Sequence, residues 1–273
     1  MSTVAISQTV GSLGDEIGRE LARALGYAFA DREIIAAATE RFGEPTLDLV
    51  HVTEEQPTLL ERFRRSERHY VTAVEAVLLD MAARDTVVLC GRGAAFVLGG
   101  IPHVLRARVD APERVRAQRV HQRDGLTFEA ALNLVQRTDR ERAARIRFLY
   151  DVDWNHPLHY HIMLNTDQIA VDTGVRILRA ALDAPRFTAT IESRQKLTDQ
   201  SIVAQAKAGL FAQPVTRPLA VVVTSARGNV ILSGIVDRED QRQAVYDIVR
   251  AIPGVAGVLN EIVARPRVPV AGL

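Results

Sequence analysis

Residues 4–16, VAISQTVGSLGDE, carry the clearest structural signal in this chain. The apolar run Val4-Ala5-Ile6 predicts a buried strand, and Gly11-Ser12-Leu13-Gly14 predicts a turn into a helix. The helix then carries apolar side chains on one face, at Ile17, Leu21 and Leu25. A strand, a glycine turn and a helix N-terminus together aim backbone N–H groups and the positive end of a helix dipole at one point. This arrangement suits a phosphate group.

The charge after this loop is opposite to that of a standard phosphate-binding loop. In the motif GxxxxGK[ST], a lysine follows the last glycine and reaches the phosphates, and a hydroxyl then holds magnesium. Here those two positions are Asp15 and Glu16. Two carboxylates repel a polyphosphate unless a cation lies between them. Because acidic residues in a first helical turn also stabilise the helix dipole, a purely structural turn is the alternative interpretation.

Composition and charge exclude several classes of protein. A chain of 273 residues with 47% hydrophobic residues can form one large or two ordinary globular domains. The net charge of +1 gives no reason to expect a nucleic-acid partner. Cys90 is the only cysteine, so no intramolecular disulfide can form. With no basic N-terminal region and no apolar stretch near ~20 residues, we expect a cytoplasmic protein without integral membrane contact.

Arginine supplies nearly all the positive charge. Lys196 and Lys207 are the only lysines among 34 basic residues, so a cationic phosphate contact earlier in the chain has to come from arginine. Arg92 lies between two glycines after an apolar run, where the alternatives to phosphate binding are a helix C-cap or a pair with a carboxylate. A run of five arginines is either a solvated helix face or a phosphate contact: Arg137, Arg140, Arg142, Arg145 and Arg147.

Strand and helix patterns alternate up to about residue 184. The predicted strands after the first are Thr86–Cys90, Val104–Val109 and His161–Leu164. The predicted helical regions are a charged stretch Asp31–Arg84, broken around Gly43-Glu44-Pro45 and Pro57, and helices from Pro112, Thr127 and Asp172. This alternation predicts an α/β fold with a parallel sheet covered by helices on both faces and ligands at the carboxyl ends of its strands. The turns Gly11–Gly14 and Gly91–Gly93 both follow strand ends and are expected to face one cleft.

The polar segment 186–199 is predicted to be a linker to a second, smaller domain over residues 200–266, with a tail at 267–273. The second domain reads as α-β-β-α-β, a small α+β unit. Its predicted elements are Ser201–Phe211, Leu219–Ser225, Val230–Val236, a helix capped by Asp237 that runs to Ala251, and Val258–Ala264. No catalytic pattern is visible in it, which indicates a binding or assembly module.

Two resemblances follow from these segments. Residues 4–183 resemble the cytidylate kinase-like family, a branch of the P-loop nucleoside monophosphate kinases, and residues 1–185 would form its nucleotide-binding domain. The resemblance rests on ISQTVGSLGDEIGRELARALGYAFADREII, VVLCGRGAAFVL, RVDAPERVRAQRV, DRERAARIR and the stretch Tyr160–Thr166, in the family's order. The C-terminal part is similar to a BON domain, through GNVILSGIVDREDQRQAV and IPGVAGVLNEI.

The kinase resemblance implies roles for individual residues, with ATP and Mg²⁺ as the implied cofactors. The ATP phosphates would be held by Gly11, Ser12, Leu13, Gly14, Asp15 and Glu16. The acceptor nucleotide would be bound by Asp31, Arg32, Arg92, Asp139 and Arg142. Asp139 and Arg142 match the family's lid motif and would also act in catalysis, because phosphoryl transfer depends on positioning and on stabilising charged oxygens.

The departures from the family pattern concentrate in the loop. The family's serine-arginine pair at the strand end is Ser7-Gln8 here, its third loop glycine is Leu13, and its arginine after the last glycine is Asp15. Each change removes positive charge or adds bulk where backbone approaches phosphate. The acceptor side therefore matches the family better than the donor side.

Three functional hypotheses remain open at this point. The first is a nucleoside monophosphate kinase that uses ATP and CMP or a similar nucleotide. The second is a catalytically degenerate nucleotide-binding sensor or scaffold. The third makes the BON-like module primary, with self-association or a protein or lipid partner. The histidines His156, His159 and His161 match no standard zinc spacing and read as surface or packing residues, and Cys90 reads as a core thiol.

Overall fold

A computed structural model describes residues 2–43, 57–84 and 86–265. The chain divides into two compact units. The first combines the chain up to Ile34 with Arg84–Ser193, and the second combines Ile35–Ala83 with the chain from Arg194 onward. The domain limits 1–185 and 200–266 stay a prediction.

The first unit is built on a five-stranded sheet. Its strands are β1 (Thr3–Gln8), β2 (Ala28–Ala30), β3 (Val87–Cys90), β4 (Val104–Asp110) and β5 (Ile162–Asn165). Their order is β2-β3-β1-β4-β5, and every neighbouring pair is parallel. This sheet confirms the predicted fold class. The sequence did not predict β2, because three residues are too few to show a strand pattern.

The first seven helices have the following bounds: α1 Gly14–Leu25, α2 Arg32–Phe42, α3 Pro57–Ala83, α4 Ala94–Val97, α5 Glu113–Asp124, α6 Phe128–Tyr150 and α7 Val171–Leu182. Two short 3₁₀ turns cover Pro157–His159 and Pro185–Phe187. The expected helical stretch Asp31–Arg84 corresponds to α2 and α3. Of the expected break, Glu44-Pro45 lies outside the described residues, and α3 begins at Pro57, where the fixed φ of proline suits a first helical position.

The core of the first unit lies between the sheet and helices α1 and α7. Ile17 and Leu21 on α1 and Leu178 on α7 are fully buried against apolar residues of β1, β3 and β4. Each such side chain stabilises the fold by about 1.5–3 kcal/mol. The apolar residues with this spacing therefore form the buried face of α1. Their packing holds the start of the helix, and the loop before it, at the end of β1.

The second unit carries a three-stranded sheet with order β6-β7-β8. Its elements are α8 (Ile191–Ala212), β6 (Val221–Ala226), β7 (Asn229–Val236), α9 (Glu239–Arg250) and β8 (Gly257–Ala264). Strand β6 is antiparallel to β7, whereas β8 is parallel to it. A separate apolar core includes Ile202, Leu232 and Val245, all buried. The predicted α-β-β-α-β order is confirmed.

Two helix starts differ from the sequence prediction. Helix α8 begins at Ile191 instead of Ser201, so the segment predicted as a linker is helical from Ile191 onward. Thr190 and Ser193 exchange hydrogen bonds at this helix start, and the surrounding polar residues hid the helical pattern. Helix α9 begins at Glu239 and is not capped by Asp237. Instead, the Gln241 side chain accepts hydrogen bonds from the backbone of Asp237 and Arg238.

Among the residues that the structure describes, no helix combines the length and the apolar character needed to cross a membrane.

Candidate functional site

The loop between β1 and α1 has a backbone that demands glycine at one position. Gly11 and Leu13 adopt positive φ angles of 75° and 65°. A Cβ on Gly11 would lie 2.7 Å from the backbone carbonyl oxygen of Arg116, so α5 closely approaches the loop. The first helical hydrogen bond of α1 runs from Ile17 N to Leu13 O at 3.0 Å. The preceding N–H groups, from Gly14 to Glu16, have no acceptor within the helix and are available to an anion.

Side chains behind the loop hold its carbonyl groups. Arg119 donates to Gly11 O at 3.1 Å and to Thr166 O at 2.7 Å. The Thr166 hydroxyl in turn donates to Ser12 O at 2.9 Å. The buried Ser12 hydroxyl donates to Thr9 O at 2.8 Å. Hydrogen bonds from the protein interior therefore hold the backbone carbonyl groups of the loop in place. Sequence analysis did not single out Arg119 or Thr166, although both lie in segments that carry the family resemblance.

The two unusual residues of the loop contact each other. The Gln8 side-chain amide donates to Asp15 Oδ1 at 2.5 Å. In the family that the N-terminal part resembles, arginine is common at the positions of Gln8 and Asp15. A neutral amide and a carboxylate therefore form a hydrogen bond where two cations are expected. Glu16 is exposed to solvent.

The turn after β3 is strained. Gly91, Arg92 and Gly93 have φ angles of 72°, 53° and 77° in succession. A positive φ is uncommon at a residue other than glycine, and such strain concentrates at functional sites. Gly91 N donates to Ile6 O at 2.8 Å, which ties the turn to β1. Arg92 Nε lies 3.8 Å from Asp31 Oδ1, so the carboxylate pairing considered as an alternative for Arg92 is present.

Arg142 reaches the same place from α6. Its Nη1 donates to Gln8 O at 2.7 Å. Burial lowers the pKa of Arg142, and the charges that act on its pKa are those of Asp139, Arg92, Asp15 and Asp31. The other four arginines of the run, Arg137, Arg140, Arg145 and Arg147, are exposed. The run is therefore a solvated face from which one arginine turns inward.

Asp139 acts on the loop through Arg116. Its Oδ2 forms an ion pair with Arg116 Nη2 at 2.8 Å, and the Arg116 side chain is 4% exposed. Asp139 Oδ1 is buried without a hydrogen-bond partner among the described residues. Burial is the main cause that raises the pKa of Asp139. Asp139 thus positions Arg116, whose backbone packs on Gly11.

Asp31 is the second carboxylate of the cluster. Burial and then the charge of Asp15 raise the pKa of Asp31, while Arg92 lowers it. Arg32 is exposed at the start of α2, and its charge is among those that lower the pKa of Asp31. Of the predicted site residues, the structure therefore brings Asp15, Asp31, Arg92 and Arg142 together at the ends of β1 and β3. Glu16 and Arg32 lie at the margin, and Asp139 lies behind Arg142.

The family to which the chain belongs follows from a match to a family model. The model of the cytidylate kinase-like family covers residues 3–168, more than half of the chain. The chain belongs to the cytidylate kinase-like family. The BON domain model matches residues 198–266. Both predicted resemblances are confirmed.

Curated relatives and a solved structure agree with this family. The cytidylate kinase of Pyrobaculum calidifontis is 28% identical over 178 residues, which cover 65% of this chain and 90% of that protein. The cytidylate kinase of Methanopyrus kandleri is 27% identical over 196 residues, 67% of this chain and 96% of that protein. The crystal structure of an uncharacterized protein from Eubacterium ventriosum superposes with a TM-score of 0.54 at 18% identity, over 67% of this chain and 99% of that chain, and shows the fold. The N-terminal part is thus kinase-like.

In this member of the cytidylate kinase-like family, a buried polar network supports the end of β1. The Arg108 guanidinium is buried and lies 4.1 Å from the centre of the Trp154 ring. It donates to Asp110 Oδ2 at 2.9 Å and to Trp154 O at 2.8 Å. Trp154 Nε1 donates to Ser7 Oγ at 2.9 Å. This network fixes the strand ends that carry the site, and sequence reasoning could not find it because it joins residues far apart in the chain.

Two further residue types have limited chemistry here. Burial raises the pKa of Cys90 well above its ordinary value, so its thiol stays protonated and unreactive. Among the residues that the structure describes, no group of three or more histidine, cysteine or carboxylate side chains is placed to hold a metal ion. The candidate site therefore offers a backbone cradle for phosphate, two arginines and two carboxylates.

Proposed function

We propose that this protein transfers the γ-phosphoryl group of ATP to a nucleoside monophosphate, with CMP as the first candidate acceptor. The proposal rests on the positions of Arg92 and Arg142. These two arginines come from different elements and lie near the glycine loop that precedes α1. The names of the curated relatives support the same acceptor.

The proposed mechanism assigns each group one task. The backbone N–H groups at the start of α1 bind the donor phosphates. Arg92, held beside Asp31, binds the phosphate of the acceptor as a fork of donors. Arg142, which donates a hydrogen bond to Gln8 O, would stabilise the charge on the transferred group. Helix α6, which carries Arg142, also excludes water when nucleotide is bound.

The residues at the loop fit a magnesium ion, provided that Asp15 binds it through the oxygen that Gln8 does not occupy. Carboxylate oxygens are the ligands that Mg²⁺ prefers, and Asp15 and Glu16 offer them beside the predicted phosphate position. Asp15 already accepts a hydrogen bond from Gln8, so one of its oxygens is engaged. Bound Mg²⁺ would supply the positive charge that lysine supplies in the standard loop. Asp15 and Glu16 are the residues that would hold it.

A second candidate function is a nucleotide sensor that binds without transferring phosphate. The hydrogen bond between Gln8 and Asp15 favours it, because it places no cation where the donor phosphates would lie. A sensor needs the cradle and an acceptor-side arginine, but it does not need Arg142 to stabilise a transition state.

ADP release with a panel of CMP, UMP, AMP and GMP tests the proposal. We expect ADP release with at least one acceptor, well above the rate with ATP alone. Arg142→Ala should abolish it, whereas Arg145→Ala, an exposed arginine on the same helix, is the matched control and should retain it. Binding of ATP and CMP without ADP release by the wild-type protein would contradict the kinase and support the sensor.

A further inference from the structure

A second group of basic side chains lies near the other end of β4. Arg106 is close to the start of this strand, and Asp110 ends it beside the loop, where its Oδ1 accepts from the Thr9 hydroxyl. The two lie four positions apart along this parallel strand, which corresponds to about 13 Å. The Arg106 group is therefore separate from the nucleotide site.

Two hydrogen-bond donors face each other in this group. The backbone N–H of Arg106 donates to His161 Nδ1 at 3.0 Å, so Nδ1 is an acceptor. A neutral imidazole then carries its proton on Nε2. Arg106 Nη2 lies 3.3 Å from Nε2, and an arginine nitrogen is always a donor. Among the described residues, neither side chain has a hydrogen-bond acceptor that would explain why these two donors lie so close together.

The surrounding charges are positive. Arg186 precedes Phe187, whose ring packs edge-on against His161 at 5.1 Å. Burial, Arg106 and Arg186 lower the pKa of His161, and burial followed by Arg186 lowers the pKa of Arg106. Tyr160 acts on Arg106 in the opposite direction. No carboxylate of the described residues pairs with Arg106 or Arg186.

The backbone at Gly99 packs closely against the Arg106 guanidinium. A Cβ on Gly99 would lie 3.3 Å from Arg106 Nη1, closer than nearly all real contacts of this kind. Gly99 therefore lies close against one side of Arg106, where a larger residue would crowd the guanidinium. Two facing donors, and like charges without a counter-charge among the described residues, favour an acceptor that carries negative charge.

We propose that Arg106, His161 and Arg186 form a binding site for a phosphate-type oxyanion. One oxygen accepts from both Arg106 Nη2 and the Nε2–H of His161, and the exposed Arg186 closes on the remaining oxygens. The ligand is inorganic phosphate or the phosphate group of a phosphomonoester. This inference does not depend on the proposed kinase function.

The test follows the imidazole nitrogens of His161 by NMR in the full-length protein, in separate titrations with inorganic phosphate and with glycerol 3-phosphate. We expect saturable shifts at His161 in the wild type with at least one of the two. Because one charge-assisted hydrogen bond accounts for roughly tenfold in affinity, Arg186→Gln and Arg106→Gln should each weaken binding at least tenfold. Arg179→Gln, an exposed arginine on α7, is the matched control and should bind like the wild type.

The two titrations separate the two sources of the ligand. Equal affinities indicate the free ion, and tighter binding of the ester indicates a phosphorylated metabolite. His161 resonances that do not move with either probe would overturn the proposal. Unchanged affinity in folded Arg186→Gln would also overturn it, and because Arg186 is exposed, this variant keeps the test valid if Arg106→Gln fails to fold.

Discussion

Replacement of Arg92 by alanine separates a binding role from a structural role. At 3.8 Å and an effective dielectric constant near 20, the gross attraction between Arg92 and Asp31 is about 4 kcal/mol. The Arg92 side chain is 33% exposed and that of Asp31 is 16% exposed, so solvent and the loss of side-chain entropy reduce the net contribution to about 1 kcal/mol. We therefore expect Arg92→Ala to lower the free energy of unfolding only slightly.

The effect on nucleotide binding should be larger. A charge-assisted hydrogen bond to phosphate contributes about 1.5–3 kcal/mol, which corresponds to about 10–150-fold in affinity. Calorimetric titration of CMP into folded Arg92→Ala should therefore show at least tenfold weaker binding. The double variant Arg92→Ala with Asp31→Asn should recover the lost stability, because it removes the uncompensated carboxylate, but it should not recover the affinity.

Two outcomes would contradict a binding role for Arg92. Unchanged CMP affinity in a folded Arg92→Ala protein would remove Arg92 from the site. A loss of several kcal/mol of stability that Asp31→Asn restores together with CMP affinity would show that Arg92 acts only by holding Asp31.

Three further predictions follow from the loop and the two units. ATP affinity should depend strongly on Mg²⁺, and Asp15→Arg should increase both ATP affinity and transfer, since it replaces a repelling carboxylate by a cation and leaves Glu16 to hold the ion; a slower Asp15→Arg enzyme would show that Mg²⁺ needs Asp15 as a ligand. Gly11→Ala should destabilise the protein more than Gly26→Ala, because both glycines have a positive φ but only the Cβ on Gly11 meets a backbone carbonyl, as thermal unfolding of the two variants would show. Residues 1–189 and 190–273, expressed separately, should each unfold cooperatively because each contains its own apolar core, and a C-terminal piece that folds only after addition of the other would contradict this.

The sequence predicted the fold where its signals were local. The apolar run Val4-Ala5-Ile6, the glycines after it and the spacing of Ile17 and Leu21 are neighbours in the chain, so strand, turn and helix could be predicted from them. Strand β2 is only three residues long, and the start of α8 is polar, so neither carried such a signal.

The candidate site was predicted in part for the same reason. Arg92 could be singled out because a lone arginine between two glycines is unusual, and its partner Asp31 came from the family resemblance. The ties of Arg119 and Thr166 to the loop, and that of Trp154 to Ser7, join residues far apart in the sequence. Only the folded chain brings them together. The residue types indicated that the charge of the loop is inverted, but they did not indicate the hydrogen bond from Gln8 to Asp15.

We expect that a loop with inverted charge still supports phosphoryl transfer once magnesium is bound. ³¹P NMR of the wild-type protein mixed with equimolar ATP, CMP and excess Mg²⁺ tests it most directly, because a single turnover is visible even for a slow enzyme. We expect the signals of ATP to give way to those of ADP and CDP, and removal of Mg²⁺ to stop the reaction. ATP and CMP signals that broaden on binding but persist unchanged for hours would contradict it.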